Sequence, residues 1–334
     1  MAPAGACILG CAGPVLSARE AAFFARAQPF GFILFARNVV SPAQLAALTA
    51  SLRAAVGRDA PVLVDQEGGR VARLAPPAWR GWPPPLDHAR AAGAGAARAF
   101  YLRYRLIADD LRAVGIDANC APLADIARDT THAFLRNRCY GVDAKQVSAI
   151  GRAVADGLRD GGVLPVLKHL PGHGRARSDS HAELPIIAEP LADLHDDFVP
   201  FAALSDLPMG MTAHLRLTAV DDRPATLSPK VIGLIRDRIG FDGLLMTDDI
   251  SMGALDGRLR DRVQGALAAG CDLVLHCNGD LDEMKTVADS AGMLDAGAAR
   301  RAARALAQRA EPRPFDRGAA EKELRALEPE GSHA

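Results

Sequence analysis

The sequence predicts a single-domain α/β protein folded as a (β/α)8 TIM barrel. Eight short apolar runs recur along the chain, helical patterns with clear start and stop residues lie between them, and no GxGxxG follows the first run as a dinucleotide fold would require. The runs are "ACILG" (6–10), "GFILF" (31–35), "PVLVD" (61–65), "IDANCAP" (116–122), "LPVLKHL" (164–170), "MGMTAHL" (209–215), "GLLMTDD" (243–249) and "DLVLHC" (272–277). They are apolar throughout rather than alternating, the pattern of parallel strands covered on both faces.

The connecting segments carry helix grammar. "SPAQLAALTASLRAAVG" offers Ser41 as N-cap, Pro42 at the first helical position and Gly57 as a stop. "SPKVIGLIRDRIG" repeats this with Ser228, Pro229 and Gly240, and "DAKQVSAIGRAVADGLRDGG" and "LRDRVQGALAAG" also end at glycine. The stretch 75–90, "APPAWRGWPPPLDHAR", reads as a long proline-rich loop after the third strand and holds both tryptophans. The barrel is assigned to 1–310, and the charged, alanine-rich stretch 311–334 to a terminal helix and a fraying tail.

Composition narrows the function classes. Apolar residues make up 49% and charged residues 24%, an ordinary globular balance. A formal net charge of −1 gives no electrostatic case for nucleic acid or an anionic membrane, and no run approaches the length of a membrane span. The six cysteines form no CxxC pair and several sit in apolar runs, which suggests buried thiols in a reducing compartment. "ACILGCAG" loosely resembles a lipoprotein cleavage box ending at Cys11. No basic residue precedes it and its apolar part is short, so a first strand is expected there.

In such a barrel the chemistry gathers at the C-terminal ends of the strands. Strand three ends in Asp65 and runs into "QEGGRV"; strand four leads into "ADIARD" and later "RNRCYG". Strand five ends in Lys168 and His169, strand six in His214, and strand seven in Asp248 and Asp249. That density of ionisable groups points to an active site rather than a solvated rim. Each group also has a plainer reading. Asp65 can cap the next helix, Gly68 and Gly69 can serve only a tight turn, and His214 can be a satisfied core histidine. His276 and Cys277 read as packing. Adjacent strand residues point to opposite faces, so Lys168 and His169 share a pocket only if the strand end is distorted. In the Asp248–Asp249 pair, one aspartate should face inward and the other brace a loop.

"KHLPGHGRARSDSH" (168–181) follows strand five. Its Asp179 and His181 form a carboxylate–imidazole pair able to give a proton to a leaving group and take one from water. Glycoside hydrolysis needs such a group opposite an anionic partner. The rival reading is a metal site drawn from His169, His173, His181, Asp179 and Asp248, although this spacing matches no established zinc signature.

Together, "VLVDQEGGRVARL", "VLKHLPGHGRARSDSHAELP" and "GFDGLLMTDDISMGAL" resemble glycoside hydrolase family 3, most closely its bacterial single-domain β-N-acetylhexosaminidases of peptidoglycan recycling. The resemblance runs over roughly residues 5–300. It implies a retaining mechanism with Asp248 as nucleophile and His181 as general acid/base partnered by Asp179. It implies sugar-binding roles for Asp65, Lys168 and His169, and for Arg138 in "NRCYG", where the family often has "RSFG". Arg70 of "GGRV" is placed nearby. The implied reaction removes non-reducing terminal β-N-acetylglucosamine from cytoplasmic muropeptides (N-acetylglucosaminyl-1,6-anhydro-N-acetylmuramic acid and its peptide forms). A broader β-glycosidase is the alternative within the family. The expected partner is this small-molecule substrate, with no cofactor, no metal, no nucleic acid and no membrane, and the chain is expected to be a monomer.

Overall fold

The computed structural model describes residues 3–180 and 183–328. Eight parallel strands close into a barrel in chain order: β1 (Gly5–Leu9), β2 (Pro29–Leu34), β3 (Val62–Val64), β4 (Ala118–Asn119), β5 (Leu164–Leu170), β6 (Met209–Thr212), β7 (Leu244–Asp249) and β8 (Leu273–His276), with β8 pairing back onto β1. Each strand falls within or beside the apolar run that predicts it. The run 116–122 contributes least, because Pro122 has no N–H to donate and the pairing beyond it continues only through single bonds and a bridge from Leu123 to Lys168.

The strands are apolar on both sides because both sides are buried. Ile8, Ile33, Leu63, Ala118, Val166, Met211, Met246 and Leu275, one or more from every strand, fill the barrel interior. Their chain neighbours, such as Leu9, Leu34, Val64, Leu245 and Val274, pack outward under the helices. Ala302 and Ala305 of helix Ala296–Leu306 join the interior layer and close its bottom.

The helix signals are realised locally. Ser41 accepts from the Gln44 amide, Pro42 opens the helix Pro42–Val56, and Gly57 ends it at φ +62°. Ser228 caps Pro229–Gly233 in the same way, but the turn then widens to π geometry over Leu234–Arg238 before Gly240 stops it. The proline-rich segment is shorter than expected. Pro84 and Pro85 start a helix, Pro85–Ala92, so the irregular part ends there, proline being suited to a first helical turn. Helix Arg317–Leu327 lies on helix Ala96–Ala113 with Leu324 and Ala320 buried. Cys7, Cys11, Cys120, Cys139 and Cys271 are buried free thiols, and Cys277 is partly exposed. No helix among the described residues is long and apolar enough to cross a membrane.

Two buried aspartates lock the bottom of the barrel at strand starts. Asp117, just before β4, accepts the Val62 amide at 2.8 Å and pairs with Arg309 at 2.7 Å and Arg53 at 3.2 Å. Asp272, just before β8, accepts the Leu245 amide at 2.9 Å and pairs with Arg236 at 2.9 Å and Arg301 at 2.6 Å. Each therefore ties one strand to its neighbour and to a helix. Asp272→Ala leaves a backbone N–H and two partly buried guanidinium groups without this partner. It is expected to cost about 3 kcal/mol in urea denaturation. A loss under about 1 kcal/mol would show the cluster to be ornamental.

Candidate active site

The pocket at the C-terminal mouth of the barrel is lined by Asp65, Arg70, Arg138, Lys168, His169 and Asp248, among others. Its base is a run of alternating charges. Lys168 Nζ lies 2.8 Å from Asp65 Oδ1 and 2.6 Å from Glu67 Oε1. Arg138 grips Glu67 with two bonds of 2.8 and 2.9 Å, and Arg73 reaches Asp65 at 3.1 Å. Asp65 is thus an ion-pair partner and caps no helix. Glu67 escapes the sequence reading, although it stands in the quoted "QEGGRV". Gly68 (φ +107°) and Gly69 (φ +56°) fold that stretch into a tight two-stranded ribbon, Gln66–Gly68 with Val71–Ala72, which sets Glu67 under Lys168.

This network settles protonation. Burial alone would raise the pKa of Asp65, but Lys168, Arg73 and Arg138 outweigh it and hold the carboxyl well below its usual range. The same contest brings Glu67 down to about 2, with Arg138 and Lys168 on the winning side. Burial works to strip the proton from Lys168, yet Asp65 and Glu67 push its pKa above the ordinary lysine value.

Lys168 and His169 do reach one pocket. The peptide between them is cis, and both side chains line the cavity. His169 Nδ1 is 2.8 Å from Asp125 Oδ2, and the other carboxylate oxygen accepts the His173 amide at 2.6 Å. Asp125 is a second residue the sequence leaves unassigned, though it sits in "ADIARD". Burial would raise its pKa, but His169 and His173 keep it low. It fixes the orientation of the His169 ring.

At the end of β7 the two aspartates divide as expected. Asp249 accepts Ser251 Oγ at 2.9 Å and the amides of Ser251 and Cys277 at 3.1 and 3.2 Å, so it braces the following loop. Asp248 accepts only the Asp249 amide, at 2.8 Å, among the described hydrogen bonds, and lines the pocket. Burial resists its ionisation, and His169, His214, the Asp249 amide and Lys168 overcome that resistance and lower its pKa. His214 is a satisfied core histidine. Its Nε2 donates to the Asp249 carbonyl at 2.9 Å and its Nδ1 meets Thr226 Oγ1 at 2.8 Å. His276 is buried and bonded to Glu283. Cys277, expected as packing, also lines the pocket, and its amide donates to Asp249.

Arg70 lies over the Phe134 ring at 4.1 Å, donates to the Phe134 carbonyl and interacts with Asp179. Tyr140 uses its hydroxyl to accept the Leu123 amide at 3.2 Å. Asp179 is half-buried and Ser180 lines the pocket, whereas His181 lies outside the described residues. Among the described residues no group of three or more His, Cys, Asp or Glu side chains is placed to hold a metal ion.

His173 is 4% exposed, with its ring edge-on to His169 at 5.7 Å and its Nδ1 unpartnered. Burial, with His169 beside it, lowers its pKa from 6.5 to about 4. Between those values the unfolded chain binds more protons, so stability is present above about pH 6.5 and is lost as pH falls through about 4. His173→Asn is expected to flatten that part of the stability profile by about 3 kcal/mol, read from urea denaturation at both ends of the window. An equally steep profile would assign the acid sensitivity elsewhere.

Comparison with known proteins agrees with this geometry. The model of the glycosyl hydrolase family 3 N terminal domain matches residues 16–307. A beta-hexosaminidase of Chromobacterium violaceum is 39% identical over 285 residues, covering 83% of this chain and 79% of its own length. One from Methylococcus capsulatus is 38% identical over 272 residues, covering 80% of each chain. Among solved structures, NagZ from Neisseria gonorrhoeae in complex with N-trifluoroacetyl-D-glucosamine superposes with a TM-score of 0.86 at 29% identity, covering 97% of this chain and 98% of its own. The chain belongs to glycosyl hydrolase family 3.

Proposed function

We propose that the protein is a retaining β-N-acetylhexosaminidase that removes non-reducing terminal β-N-acetylglucosamine. The observation that carries this reading is the state of Asp248. It is a pocket carboxylate whose pKa is held low despite burial, beside a charged network suited to sugar hydroxyls. The relatives named beta-hexosaminidase and the glucosamine derivative bound in the neighbouring structure support the choice of sugar.

In this mechanism Asp65, Arg70, Arg138, Lys168 and His169 hold the sugar. Asp248 attacks the anomeric carbon as the glycosidic bond breaks, and His181 gives its proton to the departing oxygen. The product of this step is a glycosyl ester on Asp248. Water then attacks the same carbon, His181 takes a proton from it, and Asp248 leaves as the carboxylate. Two inversions give net retention. The transition state is oxocarbenium-like, so the Asp248 charge stabilises it. Asp179 orients the imidazole and favours its charged form. A histidine suits this work near neutrality because its ordinary pKa of about 6.5 needs no large shift, whereas a carboxylic acid must be raised. The proposed natural substrates are muropeptides carrying N-acetylglucosamine on 1,6-anhydro-N-acetylmuramic acid, met in the cytoplasm. The free buried thiols accord with that reducing compartment.

Asp248→Ala is expected to lower kcat at least about a thousandfold with the circular dichroism spectrum unchanged. A 2-fluoro sugar probe is expected to label Asp248, and labelling of another residue would remove the nucleophile assignment. His181→Ala is expected to slow alkyl or disaccharide substrates by roughly a hundredfold or more, while aryl substrates with good leaving groups slow far less in the first step. Equal slowing would argue against an acid role. Wild-type protein should hydrolyse an aryl β-N-acetylglucosaminide well ahead of the aryl β-glucoside, and exhaustive chelation should leave that activity intact. Activity lost to chelation and restored by zinc would favour the metal-dependent reading.

A further inference from the structure

A buried line of polar side chains runs beneath the pocket to Glu328. Arg103, on helix Ala96–Ala113, is fully buried. Its Nη2 donates to the backbone carbonyl of Glu67 and, at 2.9 Å, to that of Pro83. Its Nη1 meets His88 Nδ1 at 2.8 Å. A guanidinium can only donate, so His88 Nδ1 accepts and the ring proton sits on Nε2. That nitrogen lies 3.1 Å from Glu328 Oε1, and both side chains are at most 2% exposed. Arg80 is 4.0 Å from the other oxygen. The line therefore passes from Glu328 through His88 and Arg103 to Glu67, whose carboxylate receives Lys168 and Arg138.

Two further observations argue that this line is built. A Cβ on Gly68 would collide with Arg103 Nη2, so the glycine after Glu67 is what admits the guanidinium to the Glu67 carbonyl. Glu328 follows helix Arg317–Leu327, which stands outside the matched family domain and is docked separately, through Arg98 with Glu323 and Arg317 with Asp109 and Asp110. A buried cation needs a nearby anion to offset its desolvation. With Glu328 in place, Arg103 is balanced from below and touches only the backbone of Glu67. Without it, Arg103 loses that compensation while still bonded to the Glu67 carbonyl, so the backbone that carries Glu67 is held by an unbalanced buried cation.

We infer that Glu328 is a positioning residue for the sugar-binding network, acting through His88 and Arg103 on Glu67. This rests on the reading of the pocket as the sugar site, and two separate measurements divide the possible failures. The first is amide hydrogen exchange over residues 66–72 in the full-length protein without substrate. Glu328→Ala is expected to speed it about fivefold or more, and Glu323→Ala, which loosens the same helix at its surface, is expected to leave it unchanged. The second is kinetics on an aryl β-N-acetylglucosaminide. Glu328→Ala is expected to lower kcat/KM about tenfold, mostly by raising KM, and Glu323→Ala to stay within about twofold. Should Glu328→Ala not fold, Glu328→Gln, which keeps an acceptor and removes the charge, is expected to shift both readouts the same way by about twofold or more. Unchanged exchange at 66–72 overturns the coupling, as does an equal change in Glu323→Ala. Faster exchange with unchanged KM overturns the positioning role. Absence of hydrolysis by the unaltered protein would instead sink the reading of the pocket, with the exchange result still deciding the coupling.

Discussion

Lys168 is the interaction on which the rest of the site depends. Its ammonium is almost wholly buried, and it is tolerable there only because two carboxylates, Asp65 and Glu67, flank it at hydrogen-bonding distance. Those carboxylates stand two residues apart, Asp65 just after β3 and Glu67 in the ribbon that follows, and they in turn engage Arg73 and Arg138. The cluster is self-consistent: the cations hold Asp65 and Glu67 low, and the carboxylates hold Lys168 and Arg138 high. A ligand entering the pocket meets donors and acceptors already fixed in place, so little ordering is left for binding to accomplish.

Around that cluster the pocket sorts its acidic groups by what surrounds them. Asp125 is spent on holding His169 and His173, and Asp249 on the loop after β7. Asp248, by contrast, keeps its charge while making few bonds to its own chain, which is the condition for a carboxylate to act on something else. His214 supports this indirectly, since it holds the Asp249 carbonyl and so the backbone from which Asp248 projects.

The fold was legible because each strand is buried on both faces and several helices carry their own punctuation, as Ser41, Pro42 and Gly57 do. The pocket-lining residues were legible where they stand at the end of a strand, as Asp65, Lys168, His169 and Asp248 do. Glu67 and Asp125 were not, because each lies beyond the barrel strands and acts on another protein side chain. Sequence distance hides such pairs, and only the folded ribbon brings Glu67 to Arg138. The sharing of one pocket by Lys168 and His169 also lay beyond strand alternation, which puts neighbours on opposite faces. His214 and Asp65 each had two readings on paper, and hydrogen-bond partners chose between them.

The aspartate locks at the barrel bottom bear on how the chain is made. Asp117 and Asp272 precede β4 and β8, but the arginines that complete them, Arg309 and Arg301, arrive late in the sequence. A nascent chain can lay down strands and helices in order as they leave the ribosome. Arg53 is already there to meet Asp117, but the second and shorter pairing, with Arg309, waits for residues translated long after it, and β1 must likewise wait for β8 to pair. The half-built barrel therefore spends most of its synthesis with an unfinished floor and two open sheet edges, the interval in which a chaperone has most to protect.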